Sequence, residues 1–537
     1  MKRKHLFLVL IVLLFNSVKA EDRYIWGVPG NYEGKYVITA QILLDGVELQ
    51  SDDIELGAFL HGETDNTKAR GSARVTLMGT NNQRYRVQIE VYGISANDAN
   101  STITFKIYNH GNPSNKDYIR YDATYQDETY DVKWSLNSSL GKPSIPLVLN
   151  FHTTTELDIV NYGTGTGNWH LIASPLNAAE TNPNTVTNML SNDYDLYYFD
   201  QTGGSYDKEW INYKESSSST NPGFKLVPGK GYLYANSGDG VSEKTTLTFI
   251  GAPYNGTGVV ELSRATTVAH DKMKGWNLIG NSFTTAKTVR DRSYYRMNGT
   301  GTELITGTGS VGAMEGIFVY AENDEETVTF SDLSRANEDD MVMLNLNGNK
   351  GNTIDRVIVR FDEGGTLPKY TLRDNSTIIY IPQADRDYAV VKGSATNVFP
   401  VNFKTEDFGT YTISSDIAGD GVSYMHLIDK ITGEDIDMLL EGEYSFVAAP
   451  VDREDRFILR LNYSGYFDDN DVNNFAYQNG SDIVVCGEGT LQVFDVMGRF
   501  VSSYEINGVQ TIHALPMGVY IFRMVGDDIR TQKIYVR

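Results

Sequence analysis

The sequence is poor in the groups that most often carry chemistry. Cys486 is its only cysteine, so no disulfide can form within the chain. It ends the apolar, strand-like run Asp482-Ile483-Val484-Val485-Cys486, which reads as a packed small hydrophobe. A catalytic thiol would need a histidine that only the fold could bring to it. The eight histidines (His5, His61, His110, His152, His170, His270, His426 and His513) are scattered singly. With no H-E-x-x-H and no paired spacing, a dedicated transition-metal site is not expected. There is no G-x-S-x-G elbow and no Walker sequence. Gly307-Thr308-Gly309-Ser310-Val311-Gly312 matches G-x-G-x-x-G, but the strand-like run 316–320 follows where a dinucleotide fold needs a helix, so a loop is expected. Asp468-Asp469-Asn470-Asp471-Val472-Asn473 fails as an EF-hand loop: Val472 holds a ligand position and the sixth residue is not glycine. No catalytic, cofactor-binding or metal-ligating residue is therefore nominated. With 69 acidic residues, no carboxylate pair can be singled out for glycoside hydrolysis.

Positive charge is also scarce. The chain has 46 basic and 69 acidic residues, net -23. Such a field repels nucleic acid and anionic lipid and favours solubility outside the cell. Four of the basic residues lie in the first twenty, so the rest carries 42 against 69, or -27. That opening stretch has Lys2, Arg3 and Lys4, then an apolar run of ten residues over 6–15, then small residues at Val18 and Ala20. It reads as a signal peptide cleaved near Ala20. Ten apolar residues cannot span a hydrocarbon layer of roughly 30 Å, and no later run approaches eighteen.

What is abundant is strand and turn chemistry. There are 34 tyrosines, 22 phenylalanines and 50 glycines, with little helical periodicity. The length of 537 allows three to five domains. The expected class is all-β, several β-sandwich domains in series, ending in a small Ig-like sandwich. The expected divisions are 1–20 signal peptide, 21–152 sandwich, 153–337 tandem repeat, 338–463 sandwich, 464–481 polar linker and 482–537 C-terminal unit. In the first sandwich, Tyr85-Arg86-Val87-Gln88-Ile89-Glu90-Val91 alternates apolar and polar, so one face is buried. A turn is expected at Asp45-Gly46.

The repeat is degenerate but readable. Gly167-Asn168-Trp169-His170-Leu171-Ile172-Ala173 returns as Lys274-Gly275-Trp276-Asn277-Leu278-Ile279-Gly280. Tyr197-Tyr198-Phe199 is answered by Tyr294-Tyr295, the run 229–236 by 315–323, and Thr246-Leu247-Thr248-Phe249 by Thr327-Val328-Thr329-Phe330. Aligning Tyr234 with Tyr320 makes the second copy shorter, by a polar loop over 214–221. The two copies are expected to pack as paired sheets. Trp169 and Trp276 each precede Leu and Ile at period two, which makes them core positions; sugar-stacking platforms are the alternative.

The tail 490–537 breaks into short β runs with turn signals at Met497-Gly498, Asn507-Gly508 and Gly526-Asp527-Asp528. Gly518-Val519-Tyr520-Ile521-Phe522 reads as a central strand. The Asp-Val-Met-Gly-Arg turn over 495–499, the Leu-Pro-x-Gly-Val-Tyr segment over 515–520 and the Thr-Gln-Lys-Ile strand over 531–534 closely resemble the type A C-terminal sorting domain of the type IX secretion system of Bacteroidetes. The resemblance covers the last tenth of the chain. It implies export across the outer membrane, with the secretion machinery as partner, to a secreted or surface-attached location. For the remainder, adhesion or binding without catalysis is expected. A glycan-binding module or glycan-processing accessory protein is the alternative.

Overall fold

Tyrosine, valine and isoleucine alternating between glycine-rich turns produce strands almost throughout. The computed structural model describes residues 25–536, except 29, 64, 113–117, 164, 166–167, 204–208, 217–222, 267–270, 333–339, 349–350, 362–364, 372–375, 394–395, 420, 464–474, 480–481, 514 and 527–528. The expected leader and the Asp468–Asn473 run therefore lie outside the described residues. Among the described residues the chain is all-β, with several β-sandwich domains in series.

The first sandwich sets an eight-stranded sheet against a three-stranded one. Gly34–Leu44 is the hub of the larger sheet. It pairs antiparallel with Arg84–Gly93 and parallel with Leu147–Phe151. Val87, Ile89 and Val91 are fully buried, as their alternation requires. The smaller sheet is Gly71–Arg74, Ile54–Leu60 and Ile103–Asn109. Asp45 (φ 49) and Gly46 (φ 83) form the expected hairpin turn into Val47–Glu48.

The second sandwich is a single eleven-stranded sheet curled nearly into a barrel around one apolar cluster. Its two end strands, Asp435–Asp437 and Glu443–Ala448, are consecutive in the chain. They approach each other across 438–442, where Met438 N–H bonds to Met425 and Ser415 N–H to Gly442. Two strands here carry weak sequence signals: Thr396–Lys404 contains Pro400, and Asp435–Asp437 has only three residues.

The tail forms a five-stranded sheet. Gly518–Val525 is central, between Asp482–Asp495 and Ile529–Val536, as expected. Asn507-Gly508 does not turn the chain. Phe500–Ile512 runs straight through it, because Asn507 and Gly508 pair with Glu488 and Gly487 on an equally long partner. Part of the expected linker is also strand. Ala476–Asn479 pairs with Asp482–Val485, and the Gln532 carboxamide bonds the backbone of Phe475 and Ala476.

Between the sandwiches lie the two repeat copies, and their topologies are identical. Each copy has six strands, of which the first and last pair with one another. In the first copy these are Thr154–Val160 and Lys244–Ile250; in the second, Val259–Glu261 and Thr327–Thr329. The other four form a sheet. Its order in the first copy is His170–Ala173, Gly231–Asn236, Tyr194–Phe199, Trp210–Asn212. In the second it is Trp276–Gly280, Gly316–Tyr320, Lys287–Met297, Leu304–Val311. The G-x-G-x-x-G run thus falls on a strand rather than a loop. Gly307 lies under the Tyr294 ring and Gly309 takes φ 73 opposite a bulge at Val289/Tyr294.

Strand pairing corrects the alignment by one residue. Ala173 pairs with Gly231, and Gly280 with Gly316. Tyr234 therefore corresponds to Val319, not Tyr320, and Tyr197 corresponds to Tyr295. In a strand one step exchanges the two faces. Tyr234 faces its own copy's core, whereas Tyr320 packs on Trp276.

Candidate functional site: the paired clefts of the repeat

The two copies meet through an interface that repeats itself about a pseudo-twofold axis. Ile172 bridges to Glu315, and its counterpart Ile279 bridges to Lys230, the counterpart of Glu315. Ala173 N–H donates to Met314 O at 2.8 Å; its counterpart Gly280 N–H donates to Gly229 O at 2.9 Å. Each contact thus occurs twice with the partners exchanged, the signature of an isologous dimer within one chain. Leu171 and Leu233 of the first copy share an apolar cluster with Leu278 and Phe318 of the second.

The backbones come close enough to demand glycine. A Cβ on Gly280 would lie 2.4 Å from the Ala173 Cβ, and one on Gly231 would lie 2.6 Å from the Ile279 carbonyl oxygen. Positions 173 and 280 are equivalent and touch each other at the axis. Only one of them can carry a side chain.

The pseudo-symmetry creates two equivalent clefts. One, of about 620 Å³, is walled by Gln201, Lys230, Arg264, Trp276 and Asn277. The other, of about 330 Å³, is walled by Asn168, Trp169, His170, Asn298 and Glu315. Their polar groups mostly hold the walls. Gln201 Oε1 accepts from Ala265 and Gly275 N–H, both at 2.9 Å, and its Nε2 donates to Ser263 O. Asn277 accepts from Ser263 N–H at 3.0 Å and donates to Gly275 O at 2.9 Å. Arg264 donates to Tyr320 Oη and Ala321 O. In the smaller cleft Glu315 takes Arg296 in a bidentate pair, and also Gly312 N–H. Burial pushes His170 below its ordinary pKa, so it is neutral at pH 7, with Nε2 bonded to Val160 O. Groups so committed shape a contact surface; none is poised to move a proton.

The two tryptophans differ. Trp276 is 3 % exposed, with the Tyr370, Tyr320 and Tyr295 rings at 4.8, 5.2 and 5.8 Å, so no sugar can stack on it. Trp169 is half-buried, tilted on Tyr197 at 6.0 Å, and lines the smaller cleft. Cys486 lies on the strand Asp482–Asp495.

The histidines gather no metal set: no group of three or more candidate ligands occurs among the described residues. Five of them instead face carboxylates: His61 on Asp98, His110 on Glu55, His152 on Asp122, His426 on Asp435 and His513 on Asp482. Except for His426–Asp435, which lie on neighbouring strands, these pairings join residues thirty or more apart, so single-sequence spacing could not reveal them. Charge pairs buried in the near-barrel are also satisfied. Arg456 grips Asp429 while lying over Phe446, and Lys369 binds Asp355, which also accepts Ile379 N–H. No helix among the described residues is long and apolar enough to cross a membrane. Comparison with protein-family models, curated proteins and solved structures finds no match.

Proposed function

We propose that the chain is an exported protein displayed at or released from the cell surface, with its C-terminal sheet as the export address and the upstream β domains as binding freight. The supporting observation is the autonomy of the tail. Among the described residues, its apolar cluster (including Ile483, Leu491, Val493, Phe522, Met524 and Ile534) is drawn only from 475–536. A unit with a core of its own can be recognised, or removed, without unravelling what precedes it. The basic leader and the acidic remainder fit the same route.

The upstream domains suit binding by shape, because the repeat clefts spend their polar groups on internal contacts. Trp169 in the smaller cleft keeps a glycan in view as a second reading. Fractionation of cells carrying the full chain and a version lacking 475–537 tests the export reading. The truncated protein should stay in the periplasm with its upstream domains folded. Equal surface display of both forms would refute the address.

A further inference from the structure

We propose that Ser101 is an activated nucleophile, served by His61 as general base and Asp98 as its orienting carboxylate, and that it accepts acyl groups from exposed esters. This activity lies beyond binding and rests on a different domain, the first sandwich.

The geometry is a complete relay. Ser101 Oγ lies 3.3 Å from His61 Nδ1, and His61 Nε2 lies 2.7 Å from Asp98 Oδ1. The two oxygens of Asp98 have separate duties. Oδ2 takes the Ile94 N–H at 2.7 Å and Arg70 Nη1 at 3.2 Å, while Oδ1 meets His61. The carboxylate is thus clamped from one side and aimed from the other. Asp98 is 1 % exposed. Burial by itself would raise its pKa, but the Ile94 N–H, His61 and Arg70 together hold it below the ordinary value, so it stays ionised. An ionised Asp98 fixes the imidazole proton on Nε2 and leaves the Nδ1 lone pair for the Ser101 hydroxyl. A nucleophile within reach of a base that a third group orients is the general signature of covalent catalysis.

The backbone positions these groups at some cost. His61 (φ 58) and Asn100 (φ 64) both hold left-handed conformations unfavourable to a side chain. His61 directly follows the strand Ile54–Leu60, and Asn100 immediately precedes Ser101. Ser101 is pinned on both sides: its N–H donates to Asp98 O, and its carbonyl accepts from Trp134 N–H. His61 keeps 43 % of its side-chain surface open, so an ester can approach from solvent.

The chemistry balances. Ser101 Oγ attacks the acyl carbon as its proton passes to His61 Nδ1. The carbon–oxygen bond to the alcohol breaks, and the alcohol leaves with that proton. Water, deprotonated by Nδ1, then attacks the acyl-serine, releasing a carboxylic acid and restoring Ser101.

The test uses the full mature chain and a fluorophosphonate probe, with the labelled peptide mapped by mass spectrometry. Ser101 should be labelled, Ser101→Ala should abolish the signal, and His61→Gln should slow labelling about 100-fold, the lower range for a general base. Circular dichroism and melting of His61→Gln confirm that it folds. Slow hydrolysis of p-nitrophenyl acetate should be lost in Ser101→Ala, whose small side chain leaves the backbone contacts in place. An unlabelled Ser101 in the folded wild type would overturn the proposal. So would equal labelling with and without His61.

Discussion

The two copies of the repeat share topology, register and a mutual interface, yet they bury different things. In the first, Trp169 is half-buried beside a cleft. In the second, the equivalent Trp276 is enclosed by Tyr295, Tyr320 and Tyr370. The inner faces differ too: Tyr232 and Tyr234 occupy positions held by Ile317 and Val319. The cause lies outside the repeat. The outer face of the second sheet joins a cluster with Met341, Ile358, Leu367, Tyr370 and Val390 of the near-barrel. Both tryptophans line a cleft, but one motif thus yields an enclosed residue or a half-open one according to what packs against it. The chain boundary expected at 337/338 is crossed by this shared apolar cluster.

Truncating the two tryptophans should produce the widest split. Trp276→Ala empties a closed aromatic cage and should cost about 3–5 kcal/mol. Trp169→Ala loses a side chain already partly in water and should cost roughly 1–2 kcal/mol, scaled down from the same large-to-small series. Urea titration of the full chain, followed by tryptophan fluorescence, measures both. Equal losses would mean that the near-barrel does not help to hold the second copy.

The axis contact comes next. Gly280→Ala places a methyl against Ala173 and should cost about 1–3 kcal/mol by overpacking. Adding Ala173→Gly vacates that space, so the double variant should recover much of the loss. Recovery is incomplete because the Lys230 carbonyl also lies 2.8 Å from the new Cβ. The non-additivity of this pair in thermal melts is a direct reading of the pseudo-twofold. Strict additivity would mean that the copies do not meet there.

How much of this was legible follows from the range of each cause. Trp-x-Leu-Ile and the glycine-led aromatic strand are local patterns, and they gave the repeat and its paired sheets. The alignment slipped at Tyr234 because it followed aromatic identity, whereas the physical anchors are Gly231 and Gly316, fixed by pairing to Ala173 and Gly280. Asn507-Gly508 has turn chemistry but runs in a strand, since its fate depends on a partner strand rather than on itself. The Ser101–His61 contact spans 40 residues, and nothing near His61 in the sequence announces it. Only the short Asp98-x-x-Ser101 spacing was there to find.

The smallest split concerns Tyr295 and its counterpart Tyr197. Tyr295 is wholly buried; its hydroxyl donates to Pro368 O at 3.2 Å and accepts Tyr370 N–H at 3.1 Å, tying the second copy to the near-barrel. Burial, reinforced by Asp355, pushes its pKa well above the ordinary 10.0. Tyr197 is half-buried, and its pKa is also raised, by burial and then by Asp195. A raised tyrosine pKa means that the unfolded chain ionises first. The stabilisation is therefore full below pH 10.0 and is lost as the pH climbs beyond it. At pH 7 Tyr295→Phe should cost about 1–2 kcal/mol for the two abandoned backbone groups, and Tyr197→Phe less. Between pH 7 and pH 11 the wild-type melting temperature should fall towards that of Tyr295→Phe, because phenylalanine cannot ionise. A constant gap between these two across that range would show that Tyr295 titrates alike in the folded and unfolded chain, and the second copy would then have no closed outer face.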